Sequence, residues 1–532
     1  MNNNSGFNAL ATELYHLIAE ELKNLGSIYA LTRVSKRAYA AYNPLLYRNI
    51  ESPALSTLAQ TEKSRLPLDG PHPASFVKRI RLNFPFEDDP ELIDEDEERE
   101  KAKKRKGPVA LAEFKKLVPA AMDNVVFYAP HTGIKSIEFQ CFDLSLAEAF
   151  NKVDFCVFSS LEKVLISCPF PTVTLRRSRA MAEALSCASL VSFALVFDQG
   201  NDIPDPNTIS KLLRHVQRNC PNIQHLGLAI PEMKAGHSPK PIQRVLDDPS
   251  FVFPLLKKFY LLDSRDQDEP CRSFLIRHPS IEIFEYVGGP LNGDDFAGHL
   301  DPLILPNVVQ TTAFLHDGIS LCASNARPIE QLCLLMLPQF FPDDWDDRLK
   351  AALEGTKTLR RLVVYDEYDF SAGGIGLYQT RAFTAACPGL THFECTLDVV
   401  TGRTIASLRE FYSTVVSNLP ALKHLKVKTL IAEYSPASCT LCAVRQDHLT
   451  TLDTATHDHR ALETVEVMVF SILVDGLPGL RARYCFVKEV KGLDGGGDKG
   501  VGGRGGIVLA KKEDREEFGK GIIDVQIHTF GV

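Results

Sequence analysis

A short pattern that recurs along the chain is the feature that most restricts its possible fold. The pattern reads Pro-x-(Leu/Ile)-x-x-(Leu/Phe)-x-(apolar or Cys). Its last two apolar positions lie two residues apart, so they share one face of a short strand. Looser copies include SLEKVLI, SLVSFAL, PIEQLCL and ALETVEV, and PNVVQTTA at 306–313 is a poor copy. The five best copies are PNIQHLGL from Pro221, PLLKKFYL from Pro254, PSIEIFEY from Pro279, PGLTHFEC from Pro388 and PALKHLKV from Pro420.

Amphipathic helical patterns precede several of these copies. The anchor Leu and Ile residues recur about 25–33 residues apart. A single unit of helix, proline and strand cannot bury its own apolar edge, so neighbouring units must stack. The sequence therefore predicts an α/β solenoid. The helical positions at i, i+3, i+4 and i+7 are Ile209, Leu212, Leu213 and Val216 before Pro221, and Leu408, Phe411, Tyr412, Val415 and Val416 before Pro420.

A doubly wound α/β enzyme domain is the alternative, because strands and helices also alternate in that fold. Such a domain does not need the same proline-led signature at every strand. The recurrence of the signature favours the solenoid.

The amino-terminal residues predict three short helices, each of about three turns or fewer, a length that is marginal alone in water. Thr12, Ser27 and Ser35 are the predicted N-caps, and Asn43-Pro44 is the predicted end of the third helix. Apolar residues lie on several faces, so we expect part of this surface to be buried against the rest of the chain or a partner. The apolar positions are Leu14, Leu17, Ile18 and Leu22 in the first helix, Ile28, Leu31 and Val34 in the second, and Tyr39 and Tyr42 in the third.

These helices, LATELYHLIAEEL and LGSIYALTRVSKRAYAAYNPLLYRNI, resemble an F-box of the fungal type. Ala11 stands where the family pattern has a proline. The resemblance implies that a Skp-type adaptor, and through it a cullin, binds this segment. The matching residues are Leu10, Glu13, Leu14, Ile18, Leu22, Leu31, Val34, Ser35, Lys36, Leu46, Tyr47 and Arg48. The implied adaptor-binding residues are Leu10, Leu14, Leu17, Ile18, Leu22, Leu31, Val34, Leu46 and Tyr47.

The recurring pattern resembles the irregular leucine-rich repeats that commonly follow an F-box. The implied fold is α/β: a three-helix F-box, then a curved array with parallel strands on its concave face. Residues between the apolar strand positions point to the opposite face, where mixed aromatic and charged groups suit protein recognition. The candidate target-binding residues are Lys258, Tyr260, Glu285, Arg361, Tyr365, His392, Glu394, His424 and Lys426.

Composition and charge predict a protein of a reducing compartment, the cytoplasm or the nucleus. The net charge of -8 argues against general binding to nucleic acid or anionic membranes, while a local basic patch remains compatible with it. The thirteen cysteines have no framework spacing. The start has no secretory signal pattern, and no apolar run is long enough to predict a membrane span.

The predicted organisation has five segments. An F-box-like helical segment at 7–50 is followed by a connection at 51–86 and by a charged, solvated insert at 87–108. The solenoid occupies 109–470. A carboxy-terminal cap or hairpin occupies 471–532, in which RARYCFVKEV and GIIDVQIHTF pair across a Gly-rich loop at 492–506.

No phosphate-binding loop, dinucleotide fingerprint, nucleophile elbow or H-E-x-x-H motif occurs in the sequence. We therefore predict no catalytic residue, no cofactor and no metal. Cys439 and Cys442 have the spacing of a zinc-chelating pair, with His448, His457 and His459 following. Those histidines lack the usual spacing, and no second cysteine pair follows, so loop cysteines and solvated histidines are the preferred interpretation.

Together these features predict the substrate receptor of an SCF-type ubiquitin ligase, which brings a target protein close to the ubiquitin-carrying enzyme. Two alternatives are a repeat scaffold with a degenerate F-box, which Ala11 permits, and an α/β hydrolase or transferase with an unrecognised site. Adaptor binding separates the first alternative from the prediction. A pocket with converging titratable groups would favour the second.

Overall fold

In the structure, a computed structural model, the chain forms two compact units. Unit 1 comprises Met1–Leu256 with Val532, and unit 2 comprises Lys257–Gly531. The predicted five-segment division stays a prediction. The structure describes residues 11–22, 25–51, 55–60, 71–83, 111–128, 133–140, 158–168, 187–197, 206–229, 245–262, 272–287, 300–323, 327–336, 345–366, 377–397, 405–431, 449–452, 454–455, 459, 461–472, 478–488 and 507–514.

Unit 1 begins with three helices and continues with alternating strands and helices. The helices are α1 (Thr12–Glu21), α2 (Leu25–Thr32), α3 (Lys36–Leu46), α4 (Leu55–Leu58), α5 (Leu111–Tyr128) and α6 (Pro206–Asn219), with a 3₁₀ turn at Pro73–Phe76. The strands are β1 (Asn49–Glu51), β2 (Arg79–Asn83), β3 (Ser136–Gln140), β4 (Lys163–Cys168), β5 (Ser192–Phe197) and β6 (His225–Ala229).

Unit 2 repeats the alternation and ends in antiparallel strands. Its helices are α7 (Arg272–Arg277), α8 (Leu315–Ala323), α9 (Trp345–Gly355), α10 (Leu377–Ala386) and α11 (Ile405–Asn418). Its strands are β7 (Lys258–Leu262), β8 (Ile283–Val287), β9 (Gln310–Phe314), β10 (Gln331–Met336), β11 (Arg361–Asp366), β12 (His392–Leu397), β13 (His424–Ile431), β14 (Thr464–Ile472), β15 (Pro478–Lys488) and β16 (Ile507–Asp514).

Strand order follows chain order in both units. Strands β1–β6 of unit 1 and β7–β14 of unit 2 are parallel to their neighbours, and β15 and β16 join the end of unit 2 antiparallel. The order never reverses, whereas a doubly wound sheet reverses at its switch point. In unit 2 the helices α8, α9 and α10 each pack on the next helix. The α/β class is confirmed, with open parallel sheets.

A repeated hydrogen-bond arrangement aligns the strands. The carbonyl just before one strand accepts from two successive amides at the start of the next strand. Glu162 O accepts from Val191 N at 2.8 Å and Ser192 N at 2.9 Å. Thr391 O accepts from Lys423 N at 2.9 Å and His424 N at 3.0 Å in the same way. These hydrogen bonds pair backbone amides and carbonyls that a turn would otherwise leave without partners.

Each recurring pattern forms one tight turn followed by one strand. Leu390 N donates to Cys387 O and Leu422 N donates to Leu419 O, both at 3.1 Å. The anchor leucines are fully buried, and the two apolar strand positions that follow are buried on the helix side of the sheet. Burying each such leucine stabilises the fold by about 2 kcal/mol.

Most expected helices and strands are present, and four details differ. Helix α3 continues through Pro44 to Leu46, so the helix loses the one hydrogen bond that a Pro44 amide would have donated to the Ala40 carbonyl. Helix α2 begins at Leu25, so Ser27 lies inside it and is not a cap. The poor copy at 306–313 forms a regular strand, β9. The strand that pairs with β15 is Ile507–Asp514.

Several sequence predictions fall outside the described residues: the charged insert at 87–106, the Gly-rich loop, the arm GIIDVQIHTF, Leu10, Cys439, Cys442, His448 and His457. Within the described ranges, no helix is both long enough and apolar enough to cross a membrane.

Candidate functional site

The three amino-terminal helices have a small core of their own. Tyr15 and Tyr42 are both 0% exposed, and their rings meet edge to face with centroids 5.4 Å apart. Arg37 lies over the Tyr15 ring at 5.9 Å from its centroid. Ser35 caps α3, as predicted, because its hydroxyl accepts from Ala38 N at 3.1 Å. The helices are therefore held together internally.

Large apolar side chains remain exposed on each of these helices. Leu17 and Val34 are each 56% exposed. The five exposed side chains, which we call the N-terminal apolar set, are Leu14, Leu17, Tyr29, Val34 and Tyr39. These exposed side chains are not enclosed by the core of the three helices, so they are available for contact with a partner.

The predicted adaptor-binding residues divide into two groups. Leu14, Leu17 and Val34 are exposed. Leu22, Leu31 and Leu46 are partly buried against the Tyr15 and Tyr42 core. Ile18 and Tyr47 are also half-buried. The sequence pattern missed the role of Tyr15, although a polar-tipped aromatic between two leucines is a usable signal for a core position.

Five of the nine candidate target-binding residues form two adjacent rows across β11, β12 and β13, and Tyr260 and Glu285 are register partners on β7 and β8. Arg361, His392 and His424 are register partners across β11, β12 and β13. Glu394 and Lys426 are register partners in the next row. Their neighbours along each strand, Leu362, Phe393 and Leu425, are buried on the other side. The predicted alternation therefore brings these five residues to one sheet face.

A cluster of charges surrounds Glu394 on this face. Its carboxylate lies 2.9 Å from Lys426 Nζ, 3.5 Å from Lys428 Nζ and 3.9 Å from the Arg361 guanidinium. Burial lowers the pKa of Lys428 to about 8, opposed by Glu394 and reinforced by the positive charge of Lys426. Lys428 was not among the predicted residues, although its spacing of two from Lys426 places it on the same face.

Two histidines lie beside this cluster. The rings of His392 and His424 have centroids 4.4 Å apart. His424 Nδ1 is 2.7 Å from Thr464 Oγ1, and its Nε2 is 3.8 Å from Glu463. Partial burial lowers the pKa of His392, and the charges of His424 and Arg361 lower it further. The neutral form of His392 is therefore favoured.

Two of the candidate residues are buried, which corrects the expectation that they are displayed. Tyr260 and Glu394 are each 5% exposed. Burial and the nearby Glu285 raise the pKa of the Tyr260 hydroxyl. Glu394 is covered by the cations that neutralise it. Arg361 and His392 are exposed, whereas Lys258, Glu285, His424 and Lys426 are half-buried. Tyr365 on β11 is the register partner of Leu335 on β10.

The first strands of unit 1 also carry charge on one sheet face. Arg81 Nε lies 3.6 Å from Glu138, and Lys163 Nζ lies 3.5 Å from the same carboxylate. Lys135 pairs with Glu162 at 2.9 Å. Burial lowers the pKa of Lys163, opposed by Glu138 and reinforced by the positive charges of Arg79 and Arg81.

His459 is the one member of the possible zinc cluster that the structure describes. It is buried, and its Nε2 lies 2.8 Å from Leu419 O. Its Nδ1 accepts from Leu462 N at 3.1 Å. Both ring nitrogens therefore serve the backbone rather than a metal. In the described part of the chain, no group of three or more His, Cys, Asp or Glu side chains is arranged to hold a metal ion.

Comparison with known proteins adds no relative: no protein-family model matches the chain, and no curated protein matches it.

Proposed function

We propose that this protein is the substrate receptor of an SCF-type cullin–RING ubiquitin ligase. In this proposal the amino-terminal helices are an F-box that binds a Skp-type adaptor. The strands that follow belong to an irregular leucine-rich-repeat solenoid that binds a target protein. The protein acts by proximity, since it raises the effective concentration of target lysines near the ubiquitin-carrying enzyme.

The observation that carries the proposal is the N-terminal apolar set. The helices already bury Tyr15 and Tyr42 between them, so Leu14, Leu17 and Val34 are not needed for their core. Leucines left exposed on a segment with its own core fit a docking role. Leu14 and Val34 are among the residues through which the segment resembles an F-box, and Leu17 is among the adaptor-binding residues that the resemblance implies.

Regular strand stacking supports the second half of the proposal. Parallel strands in chain order, most of them preceded by the same turn and the same backbone hydrogen bonds, are what stacked repeats require. Each repeat then presents one strand face with variable side chains, which suits recognition of a protein surface.

Binding to a purified Skp-type adaptor is the test. We expect the wild-type full-length chain to bind and the Leu14→Asp/Leu17→Asp variant to lose at least about tenfold in affinity. The matched control is Phe127→Asp/Leu303→Asp, which places the same charges on leucine and phenylalanine side chains that are 65% and 73% exposed elsewhere. Circular dichroism of each variant establishes that it is folded. No binding by folded wild-type chain contradicts the proposal and leaves a repeat scaffold without a ligase role.

A further inference from the structure

The first strands of unit 1 concentrate positive charge in a chain whose net charge is -8. Backbone hydrogen bonds stack Arg48, Lys78 and Lys135 in one column, because Arg48 O accepts from Lys78 N and Lys78 O accepts from Lys135 N, both at 2.8 Å. We call the following six residues the basic patch: Arg48, Lys78, Arg79, Arg81, Lys135 and Lys163.

Strand register brings the other members of the patch beside this column. Arg79 pairs with Ser136, and Ser136 pairs with Lys163. Arg81 pairs with Glu138 in the next row. Ile80 and Leu82 alternate with the two arginines and are buried on the helix side, so Arg79 and Arg81 share the open face.

Carboxylates within these columns neutralise only part of the patch. Glu138 is shared between Arg81 and Lys163, and Glu162 pairs with Lys135. Glu51 occupies the register position beside Arg81. Among the described residues of these columns, six basic residues thus stand against three acidic ones. Arg48 and Arg79 are exposed, and neither forms an ion pair with any carboxylate whose side chain the structure describes.

Three features favour an acidic protein segment over a nucleic acid as the ligand. The patch is interrupted by Glu138 and Glu162, which repel a continuous polyanion. The described strand positions of this face in β1–β4 carry no aromatic side chain on which a base could stack. The neutral Asn49 in the row of Arg79 is exposed and offers hydrogen bonds to a peptide.

Spacing fits an extended peptide. Neighbouring strands lie about 4.8 Å apart, so Arg79 and Lys163, two strands apart, are separated by about 10 Å at their backbones. Alternate side chains of an extended peptide lie about 7 Å apart, within reach of both long cationic side chains. We propose that the basic patch binds an acidic segment of the target protein. Assigning the acidic segment to a target protein rests on the proposed function, whereas the binding of an acidic segment does not.

Fluorescence anisotropy with the full chain tests the proposal. The probe is a fluorescein-labelled short peptide of alternating Glu and Ser, and its matched probe has Gln in place of Glu. We expect the acidic probe to bind, the Gln probe not to bind, and affinity to fall as salt rises from about 50 to about 300 mM. The Arg79→Gln/Arg81→Gln variant should lose about tenfold in affinity.

The control variant is Arg381→Gln/Arg409→Gln, which removes the same charge from exposed positions of α10 and α11 and should bind like wild type. Equal binding of the Gln probe, or equal loss in the control variant, overturns the proposal. Tighter binding of a thymidine oligonucleotide of equal charge also overturns it in favour of nucleic acid. Adaptor binding by the Arg79→Gln/Arg81→Gln variant is measured in parallel. If the full chain binds the acidic probe but not the adaptor, the proposal for the basic patch stands and the ligase role is rejected.

Discussion

Replacing Glu394 by glutamine tests the charge cluster on the unit 2 sheet face. The folded protein holds Lys428 with a pKa of about 8, against an ordinary value of 10.5. That difference in pKa means that folding with the Lys428 amine charged costs about 3 kcal/mol of stability. Glu394 limits this cost, because its carboxylate favours the charged amine.

The expected loss follows from what Lys428 can do without its carboxylate. At pH 7, folding with the Lys428 amine deprotonated costs about 5 kcal/mol, and this is the upper limit on the cost at Lys428. With Glu394 present that cost is about 3 kcal/mol, so the loss of the carboxylate adds at most about 2 kcal/mol at Lys428. Lys426 and Arg361 are more exposed and add up to about 1 kcal/mol together. Glu394→Gln should therefore lower the free energy of unfolding by up to about 3 kcal/mol at pH 7.

The loss should shrink as pH rises. The folded chain releases the Lys428 proton near pH 8, and the unfolded chain keeps it until about pH 10.5. The unfolded state binds more protons within that window, so wild-type stability gains a contribution that rises with pH there. With Lys428 neutral, Glu394 still neutralises Lys426 and Arg361, so near pH 10 the cost should fall to at most about 1 kcal/mol.

Urea unfolding of the full chain, followed by circular dichroism at about pH 7 and about pH 10, measures the difference. Glu463→Gln is the matched control, since Glu463 is exposed and pairs with Lys423 at 3.2 Å. It should cost no more than about 0.5 kcal/mol. A Glu394→Gln cost below about 1 kcal/mol at pH 7, or one equal at both pH values, would refute the reasoning.

Three further predictions concern buried groups of unit 2. Arg327→Met should cost about 3–5 kcal/mol in urea unfolding, because the buried guanidinium donates to Asp301 O at 2.8 Å and to three other carbonyls. Gly318→Ala should cost about 2 kcal/mol in the same assay, because the added methyl group would overlap the Leu334 side chain. Cys322, whose pKa burial raises to about 11, should be alkylated by iodoacetamide more slowly than half-buried Cys333, as measured by peptide mass spectrometry.

Each of these has a contradicting result. A cost under about 1 kcal/mol for Arg327→Met means that water reaches the carbonyls. An unchanged midpoint for Gly318→Ala means that α8 can move away from β10. Equal alkylation rates for Cys322 and Cys333 mean that local opening exposes both thiols.

Local pattern was enough to predict most strands and the helices before Pro221 and Pro420. Alternation with a period of two and helical spacing depend on neighbouring residues alone. The same reasoning placed Arg361, His392 and His424 on one face. It was insufficient for β9, where Thr311 takes the buried position that an apolar residue fills elsewhere, because only neighbouring strands decide whether that polar side chain is covered.

The sequence by itself determined the α/β class, the near-constant step of the strands and the alternation of their faces, since these follow from local spacing and from the need of each unit to bury one edge. Tertiary structure alone decided that Tyr15 is a core residue while Leu14 and Leu17 are exposed, and that Glu394 is buried among three cations. Burial and charge pairing depend on residues far apart in the chain, which pattern within one segment does not contain.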